Sequence, residues 1–325
     1  MWYTVCISDT GNALKLTYAY EYYPLNLTTL RYRRRIMYLS DKWEDYRIVD
    51  ASGGEKLEYW GRYLLRRPDP IAVWEDKGDI QAWNSPDAWY HRSAKGGGSW
   101  QVFNKHIPDE WQIKYRELVF NVRPTGFKHT GLFPEQAVNW DWIAELIKAS
   151  KRPVKVLNLF AYTGGATVSA LSAGAEVCHV DAAKGIVTWA KKNVESSGLG
   201  DRRVRYIVDD VVKFVKRELR RGNRYDGIIM DPPSYGRGPS GELWKIEDAL
   251  FPLVKDCVEL LSDDPLFMLI NSYTTGLSAT VLKNVMKVTA RKRFGGEMDA
   301  DEIGLPIESG MILPAGISGR WWKLC

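Results

Sequence analysis

The sequence predicts an α/β fold: a Rossmann-like sheet of largely parallel strands, preceded by a small, mostly β N-terminal domain. Three features predict it. From residue 154 onward, apolar β-rich runs alternate regularly with helical runs. The first of these runs, Val154–Phe160, enters a tight Gly164-Gly165 turn and a helix, and the next, Glu176–Asp181, ends on an acid. Before residue 136, short runs are separated by turn clusters, the pattern of short strands.

The first two of these features also carry a chemical reading. Glycines let a backbone approach a ligand closely. Asp181 follows the second glycine by 16 residues, at the carboxyl end of its strand. There a carboxylate can accept two ribose hydroxyls. The loop lacks the G-x-G-x-x-G pyrophosphate cradle, so it suits a cofactor with a ribose and no phosphates, of which S-adenosylmethionine is the common one. The bland alternative is a Gly-Gly turn that only joins strand to helix.

Composition sets the outer limits. The 325 residues suffice for one large or two modest domains, and 45% hydrophobic with 26% charged content is ordinary for a soluble globular chain. No apolar run reaches about 18 residues, so no membrane span is expected. No basic segment precedes an apolar core at the start, so no signal peptide is expected. Cys6, Cys178, Cys257 and Cys325 are scattered and form no C-x-x-C, which fits a reducing cytoplasm and argues against a disulfide framework or a zinc site. The four histidines show no metal-ligand spacing, so no metal is expected. The formal charge of +5 divides into +3 on residues 1–36 and +2 on the other 289, which says little about partners. The fourteen tryptophans either stack on bases or pack the core and domain interface.

Taken in order, residues 1–36 end in Arg31-Tyr-Arg-Arg-Arg-Ile and read either as a basic arm for RNA or as a leader upstream of a start at Met37. Residues 37–135 form the β-rich domain, with runs at Tyr46–Val49, Arg62–Leu65 and Ile71–Trp74 between turns at Ser52–Gly54, Arg67–Pro70 and Lys95–Gly98. The last turn is a hairpin tip or a phosphate cradle. Glu117–Arg123 alternates as a strand and leads into the polar, aromatic loop Pro124–Gln136. Residues 136–325 form the main domain. Helices are expected over about 140–148, 184–197, 211–219, 245–261 and 277–290, with strands at 204–208, 225–230 and 265–270. Met311–Pro314 and Gly319–Leu324 read as closing strands.

Four strand tips carry the chemistry: Phe160–Gly165, Asp181, Asp209-Asp210, and Asp231-Pro232-Pro233-Ser234. In an open α/β sheet these tips share one edge, where ligands bind. One such Asp can be merely a helix N-cap; acids at three successive tips exceed what capping asks. The prolines fix φ, lack N–H donors and leave rigid carbonyls that can hold a donor group of an acceptor.

Asn158–Ala166, Asp181-Ala-Ala-Lys184, Asn193 and Asp231–Gly236 together resemble the class I S-adenosylmethionine-dependent methyltransferases. Within that class the chain is similar to the bacterial 23S ribosomal RNA methyltransferases that modify cytosine C5 or guanine N7, in a branch without a PUA module. The resemblance covers about residues 115–325. It implies a seven-stranded methyltransferase sheet and S-adenosylmethionine as cofactor. It implies that Phe160, Tyr162, Thr163 and Gly164 meet the methionine and adenosine portions, and that Asp181 meets the ribose. Gly165, Ala182 and Asn193 belong to the same cofactor set. Asp209, Asp210 and Val211 would meet the adenine, and Phe133 and Gln136 would cover the cofactor. Asp231, Pro232, Pro233 and Ser234 would face the methyl group and the acceptor. One departure matters: the positions that hold a cysteine nucleophile in C5-cytosine enzymes read Asn271-Ser-Tyr-Thr-Thr and Pro232-Pro-Ser-Tyr. The expectation is therefore direct transfer to nitrogen or oxygen on RNA, probed against three alternatives. These are a small-molecule or protein acceptor, a nicotinamide oxidoreductase, and a non-catalytic RNA-binding protein with a relic fold.

Overall fold

The computed structural model describes residues 37–93, 97–237 and 243–324. The expectations for residues 1–36, and for Cys6, Gly96 and Cys325, lie outside them. Among the described residues no helix is long and apolar enough to cross a membrane.

The described residues begin with a two-residue strand, β1 (Tyr38–Leu39), and the antiparallel β2 (Tyr46–Ser52), β3 (Glu55–Trp60) and β4 (Tyr63–Pro68). A short helix α1 (Ile80–Asn84), capped by Asp79, precedes β5 (Ala88–Arg92) and β6 (Gly98–Val102), which complete a five-stranded sheet. A hairpin, β7 (Trp111–Tyr115) and β8 (Leu118–Val122), leads to helix α2 (Ala137–Ser150). The strand expected at Ile71–Trp74 does not form. Pro70 precedes it, and the segment instead folds over the β2–β3 turn: Gly53 and Gly54 donate to Trp74 and Ala72 carbonyls at 2.7 and 2.8 Å, leaving Val73 80% exposed.

Then the α/β alternation runs β9 (Lys155–Leu159), α3 (Gly165–Ser172), β10 (Glu176–Asp181), α4 (Lys184–Ser196), β11 (Val204–Val208), α5 (Val211–Arg221) and β12 (Gly227–Met230). A small hairpin, β13 (Tyr235–Arg237) with β14 (Leu243–Lys245), interrupts it before α6 (Ile246–Glu259), β15 (Phe267–Ser272) and α7 (Ala279–Met286). The helix at α7 continues through a π turn to Phe294. Two long antiparallel strands close the chain: β16 (Glu297–Pro306), which has no counterpart in the expected elements, and β17 (Ile312–Trp322), one continuous strand where two pieces are expected.

The main sheet has the order β1-β16-β17-β15-β12-β9-β10-β11. It is the expected seven strands plus β1 on the edge beyond β16. From β15 to β11 the strands are parallel, and β17 is antiparallel to β15. Its central strands are buried on both faces, as parallel strands with helices on each side must be. Alternate residues face opposite cores: Val156, Ile229 and Leu269 join one cluster, Leu157, Ile228 and Met268 the other. The first cluster continues without a break into Tyr46, Trp60, Ile113 and Phe120 of the β-rich region. Asn121 of β8 also bonds Asn193 of α4, at 2.8 and 3.0 Å. Residues 36–325 thus pack as one compact unit across the expected boundary at 135/136. Tryptophans serve this core: Trp60, Trp83 and Trp321 are fully buried, and Trp140 lies 5.1–6.0 Å from the rings of Phe120, Tyr115 and Trp43.

Candidate active site

The parallel strands all end at one edge, so the β9, β10, β11 and β12 tips form a row. The loop after β9 is tightly shaped. Phe160 (φ 54°), Tyr162 (φ 48°) and Gly164 (φ 85°) are all left-handed, so two aromatic residues hold a conformation that costs about 1–3 kcal/mol each. The surroundings hold it there. Ala161 N donates to Val180 O at 3.0 Å, Gly164 N to Ala161 O at 3.0 Å, and Tyr162 N to Asp181 Oδ2 at 3.0 Å. Thr163 Oγ1 donates to the Gly131 carbonyl, and Asn193 Nδ2 donates to the Thr163 carbonyl at 2.8 Å. Thr163 and Asn193 are fully buried. Asn193 therefore stands behind the loop and sets its shape, while Thr163, within the loop, also lines the cleft.

The two glycines have explanations inside the protein. A Cβ on Gly165 would lie 2.4 Å from the Trp140 ring, so glycine is what lets α3 close against α2. Gly164 sits at positive φ with Ala190 Cβ 3.0 Å from where its own would be.

Asp181 is different. Its Oδ2 accepts from Tyr162 N and its Oδ1 from Ala183 N, each at 3.0 Å. A carboxylate offers about four acceptor positions. Two are spent on orienting it and two remain for a diol, and the side chain is only half-buried. This pair of free acceptor positions fits the ribose of S-adenosylmethionine. Ala182 beside it is exposed. At the next tip, Asp209 Oδ1 accepts from Asp210 N at 2.9 Å and Oδ2 pairs with Arg217. Asp210 caps α5, accepting from Lys213 N at 2.9 Å, and Val211 is buried in the core. For the Asp210 side chain the helix-cap alternative accounts for its contacts.

Asp231 closes the row at β12. It lines a cleft together with Phe133, Gln136, Phe160, Tyr162 and Asn271. Burial pushes its carboxyl up to about 7, and the charge of Glu135 adds to the effect. Glu135 is itself buried and raised, by burial first, with Lys56 pulling the other way. Pro232 is buried and Pro233 exposed. The carbonyl of Pro233, expected to stand open to an acceptor, instead accepts from the Trp244 indole at 2.6 Å, because the β13–β14 hairpin folds against it. Trp244 thereby lies 5.4 Å from Phe160. Ser234 Oγ accepts from Thr274 Oγ1 at 2.7 Å.

Phe133 is the hub of the cover, 5.2 Å from His129, 5.3 Å from Tyr162 and 5.7 Å from Tyr273 between ring centroids. Burial, with Arg67 and Lys128 nearby, pushes His129 down to about 3, so the ring is neutral. Gln136 is held on every side. Its Nε2 donates to Tyr273 OH at 2.7 Å, and its Oε1 accepts from Asn139 at 2.8 Å and Asn271 at 3.0 Å. Arg320 of β17 in turn donates to Asn139 Oδ1, at 2.9 and 2.6 Å. Glu135 and His129 are site residues that motif reading did not single out, and Asn271 and Tyr273, read there only for the missing cysteine or for stacking on a base, stand in the hydrogen-bond network of Gln136. Glu135 adjoins Gln136, and Tyr273 follows the β15 tip just as Asp231 follows β12, which was the usable signal.

The sequence pattern of the S-adenosylmethionine-dependent methyltransferase family matches residues 92–274. The crystal structure of a methyltransferase of this dependence from Agrobacterium tumefaciens is 36% identical, with a TM-score of 0.83 over 87% of this chain and 92% of that one. A structure from Streptococcus mutans, 20% identical with a TM-score of 0.67 over 87% of this chain and 76% of that one, shares the fold. Among curated proteins, the ribosomal RNA large subunit methyltransferase K/L of Shewanella frigidimarina is 28% identical over 61% of this chain and 26% of its own length. The ribosomal RNA large subunit methyltransferase K of Neisseria meningitidis is 31% identical over 50% of this chain and 46% of its own. The chain thus spans less than half of either curated relative.

Proposed function

The chain belongs to the S-adenosylmethionine-dependent methyltransferase family, and from that premise we propose that it methylates ribosomal RNA of the large subunit in the cytoplasm, by direct transfer to a nitrogen or oxygen. The cofactor, when bound, supplies an activated methyl group on a sulfonium. In this reading Asp181 holds the ribose diol with the two acceptor positions that the backbone leaves it, and the Phe160–Gly165 loop shapes the methionine side. Phe133 and Tyr162 cover the cleft and exclude water. Asp231 meets the acceptor: with its carboxyl pushed up to about 7, it can accept a hydrogen bond or a proton from an N–H or O–H at neutral pH. Orientation is the main contribution asked of the protein.

The observation that carries the transfer chemistry is the state of the thiols. Cys178 and Cys257 are buried in the core, and burial pushes Cys178 up to about 11 and Cys257 higher. Among the described residues, then, no thiol suits a nucleophilic role, which favours transfer without a cysteine adduct. The acceptor class is supported by the names of the curated relatives. The test is transfer of tritiated methyl from S-adenosylmethionine to unmodified large-subunit ribosomal RNA transcribed in vitro, followed by nucleoside analysis. Label in a nitrogen- or oxygen-methylated nucleoside supports the reading; label in 5-methylcytosine, or in no RNA at all, refutes it.

A further inference from the structure

The basic charge of this chain is concentrated in one place. Residues 202–224 hold nine Lys/Arg against three Asp/Glu, a net +6 on a chain whose total is +5. Once residues 1–36 are also set aside, the remainder is net negative. In the fold this segment is the edge strand β11, the helix α5 and the turn after it. Helix α5 buries Val211, Phe214, Val215 and Glu218 and turns Lys213, Lys216, Arg220 and Arg221 to solvent. Arg203, Arg205, Arg217 and Arg221 are engaged with Glu176, Asp209 and Glu218. Among the described residues, Arg202, Lys216 and Arg220 have no carboxylate partner, and Arg224 donates only to the Asn223 carbonyl.

A concavity of about 340 Å³ lies at the foot of this face, lined by Lys155, Glu176, Arg203, Arg205, Asn223 and Arg224. It sits at the amino ends of β9, β10 and β11, across the sheet from the Asp181–Asp231 row. Helix α5 joins the two edges. It starts beside Asp209 and runs for 11 residues, about 16 Å, toward the concavity. A solvated helix face and a charged edge strand that deters aggregation explain scattered charge. They do not explain why the cations gather here while the rest of the described surface is net acidic.

We propose that β11, α5 and the Arg224 turn form a docking surface for the phosphate backbone of RNA, with the concavity seating one phosphate. The occupant must be polyanionic and extended, because the cations lie along a helix and end in a concavity. This rests on the reading that the substrate is RNA, and places its anchoring some distance from the methylated atom. Phosphate contacts of this kind position without reading sequence.

The test uses the full chain with Lys216→Gln, Arg220→Gln and Arg224→Gln together, against a control of equal charge change, Lys105→Gln, Lys148→Gln and Lys287→Gln. The probe is a fluorescein-labelled single-stranded RNA, titrated over a range of salt. Each lost contact flattens the log–log salt dependence by about 0.7, so the first variant should lose about 2 in slope and at least about tenfold in affinity near physiological salt. The control should bind like wild type, and both should bind S-adenosylmethionine normally. Equal weakening of both variants, or none in either, overturns the surface. Methyl transfer by the wild type to ribosomal RNA is read in parallel. If the wild type methylates RNA but the variants do not differ, the surface fails and the function stands. If it binds RNA through this face without methylating it, the surface stands and the acceptor assignment fails.

Discussion

Replacing Asp231 with Asn should stabilise the protein at alkaline pH while removing its activity. The acid titrates at about 7 in the fold and near 3.8 in the unfolded chain. Between these values the unfolded state has released the proton and the folded state has kept it, so folding becomes less favourable as pH rises. The full penalty, reached above the folded value, is on the order of 4 kcal/mol at about 1.36 kcal/mol per pH unit. At pH 5 the unfolded chain is already mostly ionised, and roughly 1.7 kcal/mol of that penalty is present; at pH 8 nearly all of it is. Asn keeps the volume and never ionises. The stability advantage of the variant over wild type should therefore grow by about 2–3 kcal/mol between pH 5 and pH 8, measured by urea unfolding at both. The tritium assay should show methyl transfer reduced by about a hundredfold or more if Asp231 accepts the acceptor's proton. An advantage that is unchanged or shrinks over this range would refute the buried, proton-retaining Asp231 derived from its position beside Glu135.

Three further outcomes follow from the same geometry. Glu135→Gln removes the neighbouring negative charge, so the alkaline-rising limb of kcat/KM should move to lower pH; a limb that stays in place or moves up shows that Glu135 does not act on Asp231. Asp181→Ala removes the acceptor that orients Tyr162 N and Ala183 N and the two positions left for the ribose, so calorimetry should show S-adenosylmethionine affinity falling by about a hundredfold or more; wild-type affinity would sink the assignment. Gly165→Ala drives a methyl into Trp140, 2.4 Å away, and should cost about 1–3 kcal/mol in urea unfolding; a neutral result means that α3 can shift off α2.

The amino-acid sequence by itself determined the alternation of parallel strands and helices from residue 154 to about 290 and where its chemistry sits. Strand runs such as Phe267–Ile270 are buried on both faces and so are apolar throughout, and helix ends are marked by local residues such as Asp210 and Gly222. The order in which runs and acids follow one another then puts Asp181, Asp209 and Asp231 on one edge, because parallel strands cannot do otherwise. Tertiary structure alone decided what each residue does there. The Thr163 hydroxyl and the Asn193 amide oxygen find their partners at Gly131 and Asn121, 32 and 72 residues away in the chain. Gly165 is glycine because of Trp140, which a reading of its own loop cannot reveal. Asp231 is raised by burial first and by Glu135 second, a residue whose apolar-looking neighbourhood gives no sign that it will be buried beside another acid. The same holds for β16, which pairs with β17 only because the chain returns along the sheet edge, and for the basic face. Its nine cations already lie within residues 202–224, but which of them pair with carboxylates and which reach solvent is decided only when β11 and α5 pack together. Backbone conformation and apolar period are local properties, written residue by residue; electrostatic environment and hydrogen-bond partners depend on distant segments meeting, and so are decided only in the fold.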